Sequence, residues 1–179
     1  MSTSELIELA RAVDARCRLR GEFVLRSGQM AAEYFDKYLF ESDPALLRRV
    51  VTQMVPLIPR QTELLGWLEL GGVPLATMLS SITGIPTLFV RKEAKTYGTR
   101  RLAEGESPRD RVVLLVEDVI ATGGAVRNAA LALRDEGAAV TAVVCAIDRS
   151  DPGTEPLRQD GLDVHAVMTK DDLDSVAAP

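Results

Sequence analysis

The stretch Val112-Val113-Leu114-Leu115-Val116-Glu117-Asp118-Val119-Ile120-Ala121-Thr122-Gly123-Gly124-Ala125-Val126 decides the fold of this chain. Its first five residues are apolar, which is typical of a strand buried on both faces of a parallel sheet. Two carboxylates and a glycine-containing loop follow, and the loop opens a helix. We expect the strand to cover residues 112–116, with Glu117 and Asp118 at its carboxyl end, where ligands bind in such sheets.

The acidic pair and the loop together predict a site for a ribose phosphate. Carboxylates accept hydrogen bonds from sugar hydroxyls or hold a hydrated Mg²⁺. At Thr122, Gly123 and Gly124, backbone N–H groups can converge on an anion, and the helix dipole that follows favours negative charge there. The sequence contains no G-x-x-x-x-G-K-[ST] motif and no G-x-G-x-x-G motif after a strand, so the common nucleotide loops are excluded. A generic phosphate loop is the alternative.

On both sides of this stretch, apolar strands alternate with amphipathic helices, which predicts a mostly parallel central sheet flanked by helices. The predicted strands are residues 64–69, 87–91, 112–116, 140–147 and a late strand near 162–168. The predicted helices are residues 4–18, with Ser4 as a possible N-cap, a helix opened by Asp43-Pro44, and residues 73–83 and 125–136. We expect one domain, made of an N-terminal part (1–42), a core (43–150) and a C-terminal extension (151–179).

Aromatic residues are concentrated near the N-terminus. Five of the chain's seven Phe and Tyr residues lie between Phe23 and Phe40, in a segment that we expect to be non-helical. Such a concentration indicates a small subdomain or a pocket wall, although core packing alone would also explain it.

Composition excludes several classes of protein. The chain has 179 residues, 46% of them hydrophobic, and a formal net charge of −5, which argues against a disordered chain or a dedicated nucleic-acid binder. Its single histidine, His165, excludes a multi-His metal site within one chain, and we interpret it as a structural or surface residue. Cys17 and Cys145 are expected to be reduced and buried. No signal peptide or membrane span is predicted, so we expect a cytosolic protein.

The strand, the acidic pair and the A-T-G-G loop resemble the phosphoribosyl-pyrophosphate (PRPP) signature of type I phosphoribosyltransferases. Residues 20–150 are similar to the orotate branch of that family. The resemblance implies the type I phosphoribosyltransferase fold with a small N-terminal hood-like subdomain. It also implies transfer of ribose 5-phosphate from PRPP to N1 of orotate, Mg²⁺ as cofactor, and a homodimer in which a basic loop works across subunits.

Two segments resemble the parts of the family that meet the base. Phe23-Val24-Leu25-Arg26-Ser27-Gly28, followed by Tyr34-Phe35-Asp36, is similar to the family's F-x-L-[KR]-S-G and Y-[FYI]-D segment. Ile147-Asp148-Arg149 is similar to its V-D-R. A planar anionic pyrimidine needs an aromatic face and a cation, and a guanidinium suits its carboxylate. The resemblance implies that orotate is bound by Arg26, Tyr34, Phe35, Ala121 and Arg149, and the alternative is that these are core and surface residues.

Two further segments resemble the family's anion-binding loops. Glu69-Leu70-Gly71-Gly72 matches the loop that cradles pyrophosphate, although a plain strand-to-helix connection would look similar. The basic run from Arg91 to Arg101 resembles R-K-x-x-K-x-H-G, the loop that closes over pyrophosphate, and a solvated charged face is its alternative. Three positions depart from the family pattern: Tyr97 stands where the basic loop carries His, and Ala121 and Ala125 replace hydroxyl residues of the phosphate loop.

The resemblance assigns roles to the matching residues of this sequence. It implies that Lys95 and Asp118 are catalytic, and that Glu117 and Asp118 hold the metal, directly or through water or PRPP. It implies PRPP binding by Gly71, Gly72, Arg91, Lys92, Lys95, Tyr97, Glu117, Asp118, Val119, Ile120, Ala121, Thr122, Gly123, Gly124 and Ala125. Two other functions remain open, a phosphoribosyltransferase for a different base and a PRPP-binding regulator without turnover.

Overall fold

A six-stranded sheet forms the centre of the structure, a computed structural model that describes residues 2–24, 28–91, 103–150 and 156–177. Neighbouring strands are parallel except at the edge, where the last pair is antiparallel. The expectation of a mostly parallel sheet is therefore confirmed. In spatial order the strands are β5 (Ala103–Gly105), β4 (Thr87–Val90), β3 (Leu64–Leu68), β6 (Val112–Ile120), β7 (Ala139–Asp148) and β8 (Asp163–Thr169).

Helices cover both faces of this sheet, and each face has its own apolar core. Side chains alternate along β6, so that Leu114 and Val116 join one core while Val113 and Leu115 join the other. The first core includes α1 (Thr3–Cys17), α3 (Pro44–Met54), α4 (Gly72–Thr83) and α7 (Lys170–Val176), and the second includes α5 (Gly124–Asp135) and α6 (Pro156–Gln159). Within the described ranges, no helix combines the length and the apolar character needed to cross a bilayer.

The N-terminal part adds a two-stranded antiparallel sheet beside this core. It consists of β1 (Arg18–Val24) and β2 (Met30–Phe35), and the short helix α2 (Tyr38–Glu41) follows. The expectation that the aromatic segment is non-helical is therefore wrong for Tyr38 and Phe40, which lie in α2. Phe40 is fully buried in the first core, and this burial stabilises one turn of helix that is too short to form alone.

The first helix begins one residue before the predicted range of 4–18, and its N-cap lies two residues before the predicted one. Ser2, not Ser4, is the N-cap of α1, and it forms a reciprocal capping box with Glu5. The Glu5 amide donates to Ser2 Oγ, and the Ser2 amide donates to Glu5 Oε2. The S-x-x-E spacing from Ser2 to Glu5 is the signal that identifies this start. A 3₁₀ turn, Val55–Leu57, completes α3.

The prediction that β6 ends before the acidic pair is wrong. The strand continues to Ile120, because its pairing with β7 continues as far as Ile120 opposite Asp148. Glu117 and Asp118 therefore lie inside a central strand and are buried there. The prediction from sequence ended the strand before the first charged residue. Carboxyl groups that have buried partners do not interrupt the hydrogen bonds between parallel strands.

Both cysteines are free and buried, as expected. Cys17 is the last residue of α1, and Cys145 lies in the middle of β7. Burial raises the pKa of the Cys17 thiol to about 12 and raises that of Cys145 well above its ordinary value.

Candidate active site

One member of the acidic pair of β6, Asp118, forms an ion pair with a lysine. Asp118 is completely buried, and the Lys37 ammonium lies 2.6 Å from its Oδ2. Lys37 immediately precedes α2, and about a third of its side chain is exposed. Neither the charge pattern nor the family resemblance pointed to Lys37, which follows the quoted Tyr34-Phe35-Asp36 segment directly.

Glu41 joins this group one helical turn after Lys37. The spacing of four residues lets both side chains reach Asp118, Lys37 through its ion pair and Glu41 through a hydrogen bond. Glu41 is 7% exposed, and its Oε1 has no hydrogen-bond partner within the described part of the chain. Sequence analysis missed this residue, although a Lys and a Glu four residues apart, with Phe40 between them, could have indicated it.

The three carboxyl groups differ in protonation. Burial, reinforced by the neighbouring Asp118 carboxylate, raises the pKa of Glu41 and of Glu117 to about 9. Burial also opposes ionisation of Asp118, but hydrogen bonds from Glu117, Glu41 and Lys37 outweigh it and lower the pKa of Asp118. The Lys37 pKa is raised by its contact with Asp118, which outweighs the effect of burial. At neutral pH one carboxylate and one ammonium therefore carry the charge of this group.

A cavity of about 320 Å³ opens beside this group at the carboxyl ends of β3 and β6. Lys37, Tyr38, Leu68 and Val126 also line it. The predicted PRPP residues that it brings together are Gly71, Glu117, Val119, Ile120, Ala121, Thr122, Gly123, Gly124 and Ala125. Gly72 is the first residue of α4 and is buried beside them.

The turn after β3 approaches the acidic group so closely that it admits no side chain. A Cβ on Gly71 would lie 1.5 Å from Asp118 Oδ2 and 3.0 Å from Lys37 Nζ, and one on Gly72 would lie 2.8 Å from the Val116 carbonyl oxygen. Glycine at these positions therefore lets the backbone of this turn contact the ion pair. The peptide bond between Glu69 and Leu70 in the same turn is cis.

The loop from Ala121 to Gly124 opens α5 as expected. Gly123 has a left-handed backbone, with φ of +72°, and precedes the first residue of the helix. The Arg127 amide donates a hydrogen bond to the Gly123 carbonyl oxygen at 2.9 Å. The first residues of α5, Gly124 and Ala125, line the cavity, and the N-terminus of a helix is a place where proteins bind phosphate.

The predicted base-binding residues are only partly brought together. The Arg149 guanidinium carbon lies 5.1 Å from the centre of the Phe35 ring, and the Arg149 amide donates to the Ile120 carbonyl oxygen. Tyr34 instead packs against Phe23, because adjacent side chains of β2 point to opposite faces. The exposed Ala121 lines the cavity between these groups and the acidic pair.

The remaining predicted residues belong to the basic loop and to the first motif. Arg91 directly follows β4, and Lys92, Lys95 and Tyr97 lie outside the described residues, as does Arg26. His165 is a partly buried residue of β8, opposite Val144 of β7.

The donor set of the cavity fits a magnesium ion that arrives with its substrate. Within the described residues, no group of three or more His, Cys, Asp and Glu side chains is arranged to hold a metal. Mg²⁺ commonly takes one or two carboxylates and completes its shell with substrate phosphates and water. Glu117 at the cavity wall and Asp118 behind it provide that smaller set.

Known proteins similar to this chain share both its sequence and its fold. Residues 68–165, more than half of the chain, match the Phosphoribosyl transferase domain family. The orotate phosphoribosyltransferase of a Nocardioides species is 63% identical over 167 residues, which are 93% of this chain and 93% of that protein.

Two crystal structures of Mycobacterium tuberculosis H37Rv orotate phosphoribosyltransferase have similar folds. The complex with Fe(III) dicitrate has a TM-score of 0.84 and 31% identity, and covers 94% of this chain and 98% of its own. The complex with PRPP has a TM-score of 0.79 and 28% identity, and covers 95% of this chain and 99% of its own.

Proposed function

The chain belongs to the phosphoribosyltransferase family and, within it, to the orotate phosphoribosyltransferases, and from this premise we propose how it uses its cavity. The reaction transfers ribose 5-phosphate from PRPP to N1 of orotate, forming orotidine 5′-monophosphate and pyrophosphate. One observation carries the proposal: Glu117, Gly71 and the loop of residues 122–124 line one cavity at the end of the sheet, and the ion pair of Asp118 with Lys37 lies directly behind the turn at Gly71.

The cavity offers a separate partner for each part of PRPP. Glu117 and Asp118 accept hydrogen bonds from the ribose hydroxyls, which suits carboxyl oxygens held rigidly in a strand. The amides of residues 122–124 and the start of α5 bind the 5′-phosphate. The turn at Gly71 and Gly72 receives the diphosphate, since neither glycine places a side chain of its own over the backbone. Val119, Ile120, Ala121 and Ala125 shape the wall between these parts.

The basic loop stabilises the leaving group. Departure of pyrophosphate builds positive charge on the ribose and negative charge on the leaving oxygen, so catalysis depends on electrostatics and alignment rather than on a protein nucleophile. We propose that Arg91, Lys92 and Lys95 stabilise the negative charge that develops on the leaving pyrophosphate. Tyr97 would form a hydrogen bond beside them. Asp118 stabilises the positive charge that develops on the sugar.

We propose that orotate lies against Phe35 and Arg149, which are joined to the cavity wall by the hydrogen bond from the Arg149 amide to the Ile120 carbonyl oxygen. Phe35 and Arg149 already contact each other, which gives a planar anion both a ring face and a guanidinium fork. Arg26 and Ala121 complete the proposed base site. Tyr34 contributes by packing against Phe23 beneath it rather than by facing Arg149.

Several finer features accompany this proposal. When bound, Mg²⁺ would neutralise charge on the diphosphate, and Glu117 and Asp118 are the residues that would hold it, directly or through water.

We propose a homodimer whose basic loop reaches the neighbouring subunit, and a cytoplasmic location. We also propose that residues 1–179 act as one domain, with 1–42 as a hood over the core of residues 43–150.

The decisive experiment follows orotate consumption in the presence of PRPP and Mg²⁺. We expect wild-type turnover with orotate and none with uracil, hypoxanthine or adenine under the same conditions. The Lys95→Ala variant should lose about 10²–10³-fold in kcat, as expected for removal of one group that stabilises developing charge. Its melting temperature should match that of the wild type.

Other outcomes would redirect the proposal. If the protein turned over only another base, it would be a phosphoribosyltransferase that uses the same PRPP site with a different acceptor. Near-normal kcat in Lys95→Ala would remove Lys95 from the mechanism. Binding of PRPP without a product from any base would favour a regulator.

A further inference from the structure

Lys37 lies between the two parts of the cavity that receive ribose and diphosphate. We propose, building on the function above, that Lys37 is a PRPP-binding residue whose ammonium contacts a diphosphate oxygen while it holds the Asp118 carboxylate. No sequence motif assigns this role, and the position of the ammonium against the Gly71 turn carries the inference.

The ion pair is built into the site rather than lying on the surface. Asp118 is fully buried, and the partly exposed Lys37 reaches it from the residue that precedes α2. A Cβ on Gly71 would lie 3.0 Å from the ammonium nitrogen, so the ammonium lies against the backbone of the turn. An anion cradled by that backbone would therefore meet a positive charge directly.

The ammonium also has donors to spare for such an anion. A lysine carries three N–H donors, and the contact with Asp118 Oδ2 uses one direction. About a third of the Lys37 side chain is exposed, and Lys37 lines the cavity. The same ammonium can therefore keep its ion pair and donate to a second oxygen in the cavity.

The Asp118 carboxylate lies directly behind the turn that receives the diphosphate. A diphosphate at this turn would be repelled by that carboxylate if no positive charge lay beside it. Lys37 offsets that repulsion on the diphosphate side while it leaves the Asp118 carboxylate in place for the ribose.

The test compares Lys37→Met and Lys37→Arg with Lys170→Met. Lys170 is a matched control, because it is also paired with a carboxylate, Asp174, but lies in α7 away from the cavity. We expect Lys37→Met to raise KM for PRPP about 10- to 100-fold, the effect of one charge-assisted hydrogen bond. KM for orotate should change less than about twofold, which is within the scatter of a neutral substitution. Lys37→Arg should recover most of the loss, and Lys170→Met should behave as the wild type.

Calorimetry with fragments of the substrate separates direct contact from an effect through Asp118. Lys37→Met should weaken binding of inorganic pyrophosphate about tenfold or more, and it should weaken binding of ribose 5-phosphate distinctly less, because that ligand meets Asp118 but not the ammonium. Equal weakening of both ligands would show that Lys37 acts only by positioning Asp118, and the proposal would be wrong. Unchanged pyrophosphate binding would overturn it as well.

The outcome remains decisive if Lys37→Met does not fold. A crystal structure of the wild-type protein with pyrophosphate should place a diphosphate oxygen within hydrogen-bond distance of Lys37 Nζ, and a separated ammonium would refute the proposal. Failure of the proposed function is a different result, namely a wild-type protein that forms no orotidine monophosphate. A wild type that turns over orotate, with a Lys37→Met variant of normal PRPP KM, contradicts only the role of Lys37.

Discussion

At the scale of single residues, the site depends on which carboxyl groups are ionised. The sequence identified Glu117 and Asp118 because they follow an apolar run, and in the structure Glu117 lines the cavity while Asp118 is fully buried next to it in β6. It did not identify Glu41 or Lys37, because a pattern read along one strand contains no information about the helix that packs across it. The protonation of the acidic pair is therefore a property of tertiary contacts.

Glu41→Gln tests the protonation of this buried group. The folded protein holds a proton on Glu41 up to about pH 9, whereas the unfolded chain releases it near pH 4.5, so the free energy of unfolding falls as pH rises between these values. A glutamine side chain has nearly the same shape as the glutamate side chain but has no titratable proton. We expect the variant to be more stable than the wild type at pH 8, by about 1–3 kcal/mol, and to show a flatter pH profile.

Urea unfolding at pH 5, 6.5 and 8 measures this difference. Glu8→Gln is the control, because Glu8 is an exposed residue of α1, and its profile should follow that of the wild type. A Glu41→Gln profile parallel to that of the wild type would contradict a protonated Glu41.

At the scale of elements, the sequence predicted the order and type of the core elements but not all their limits. Residues 64–69, 73–83, 87–91, 125–136 and 140–147 each differ from the observed element by one residue at most at either end. Turn glycines and apolar periods fix such limits locally. The end of β6 was wrong because pairing with β7, a long-range contact, determines it.

The left-handed glycine before α5 supports a prediction with a matched control. Gly123 and Gly84 have nearly the same φ, +72° and +73°, but a Cβ would lie 2.8 Å from Leu157 at Gly123 and would contact nothing within 4 Å at Gly84. Gly84→Ala should cost about 1 kcal/mol through the backbone alone. Gly123→Ala should cost about 1 kcal/mol more, since Leu157 must shift, and should raise KM for PRPP.

Thermal unfolding and PRPP saturation of the two variants measure these effects. Gly84→Ala isolates the backbone cost, and its KM for PRPP should match that of the wild type. Equal stability and equal KM in both variants would show that the start of α5 tolerates a side chain.

At the scale of the whole molecule, one arginine connects the two ends of the chain. Arg18 donates to Asp14 of α1 at 2.8 Å, to Glu33 of β2 at 3.0 Å and to Asp174 of α7 at 2.9 Å. Asp14 is buried, so this network differs from an exposed ion pair. The connection joins the N-terminal sheet to the last helix, and nothing in the local sequence indicated it.

Arg18→Met should destabilise the protein by about 2–4 kcal/mol, because it leaves the Asp14 carboxylate buried without its partner. Arg111→Met is the comparison, since Arg111 pairs with Glu63 where both side chains are about two-fifths exposed, and it should cost less than about 1 kcal/mol. Chemical denaturation at constant pH gives both values. Similar losses in the two variants would show that the network contributes no more than a surface pair.

The two buried thiols make local opening of the molecule measurable by alkylation. Burial keeps Cys17 and Cys145 protonated and covered in the native state, so an alkylating reagent reacts only when the surrounding structure separates. Cys17 reports on the junction of α1 with the N-terminal sheet, and Cys145 reports on the central sheet. Faster labelling of Cys17 than of Cys145 would reveal a hood that unfolds independently of the core, whereas equal rates would identify a single cooperative unit.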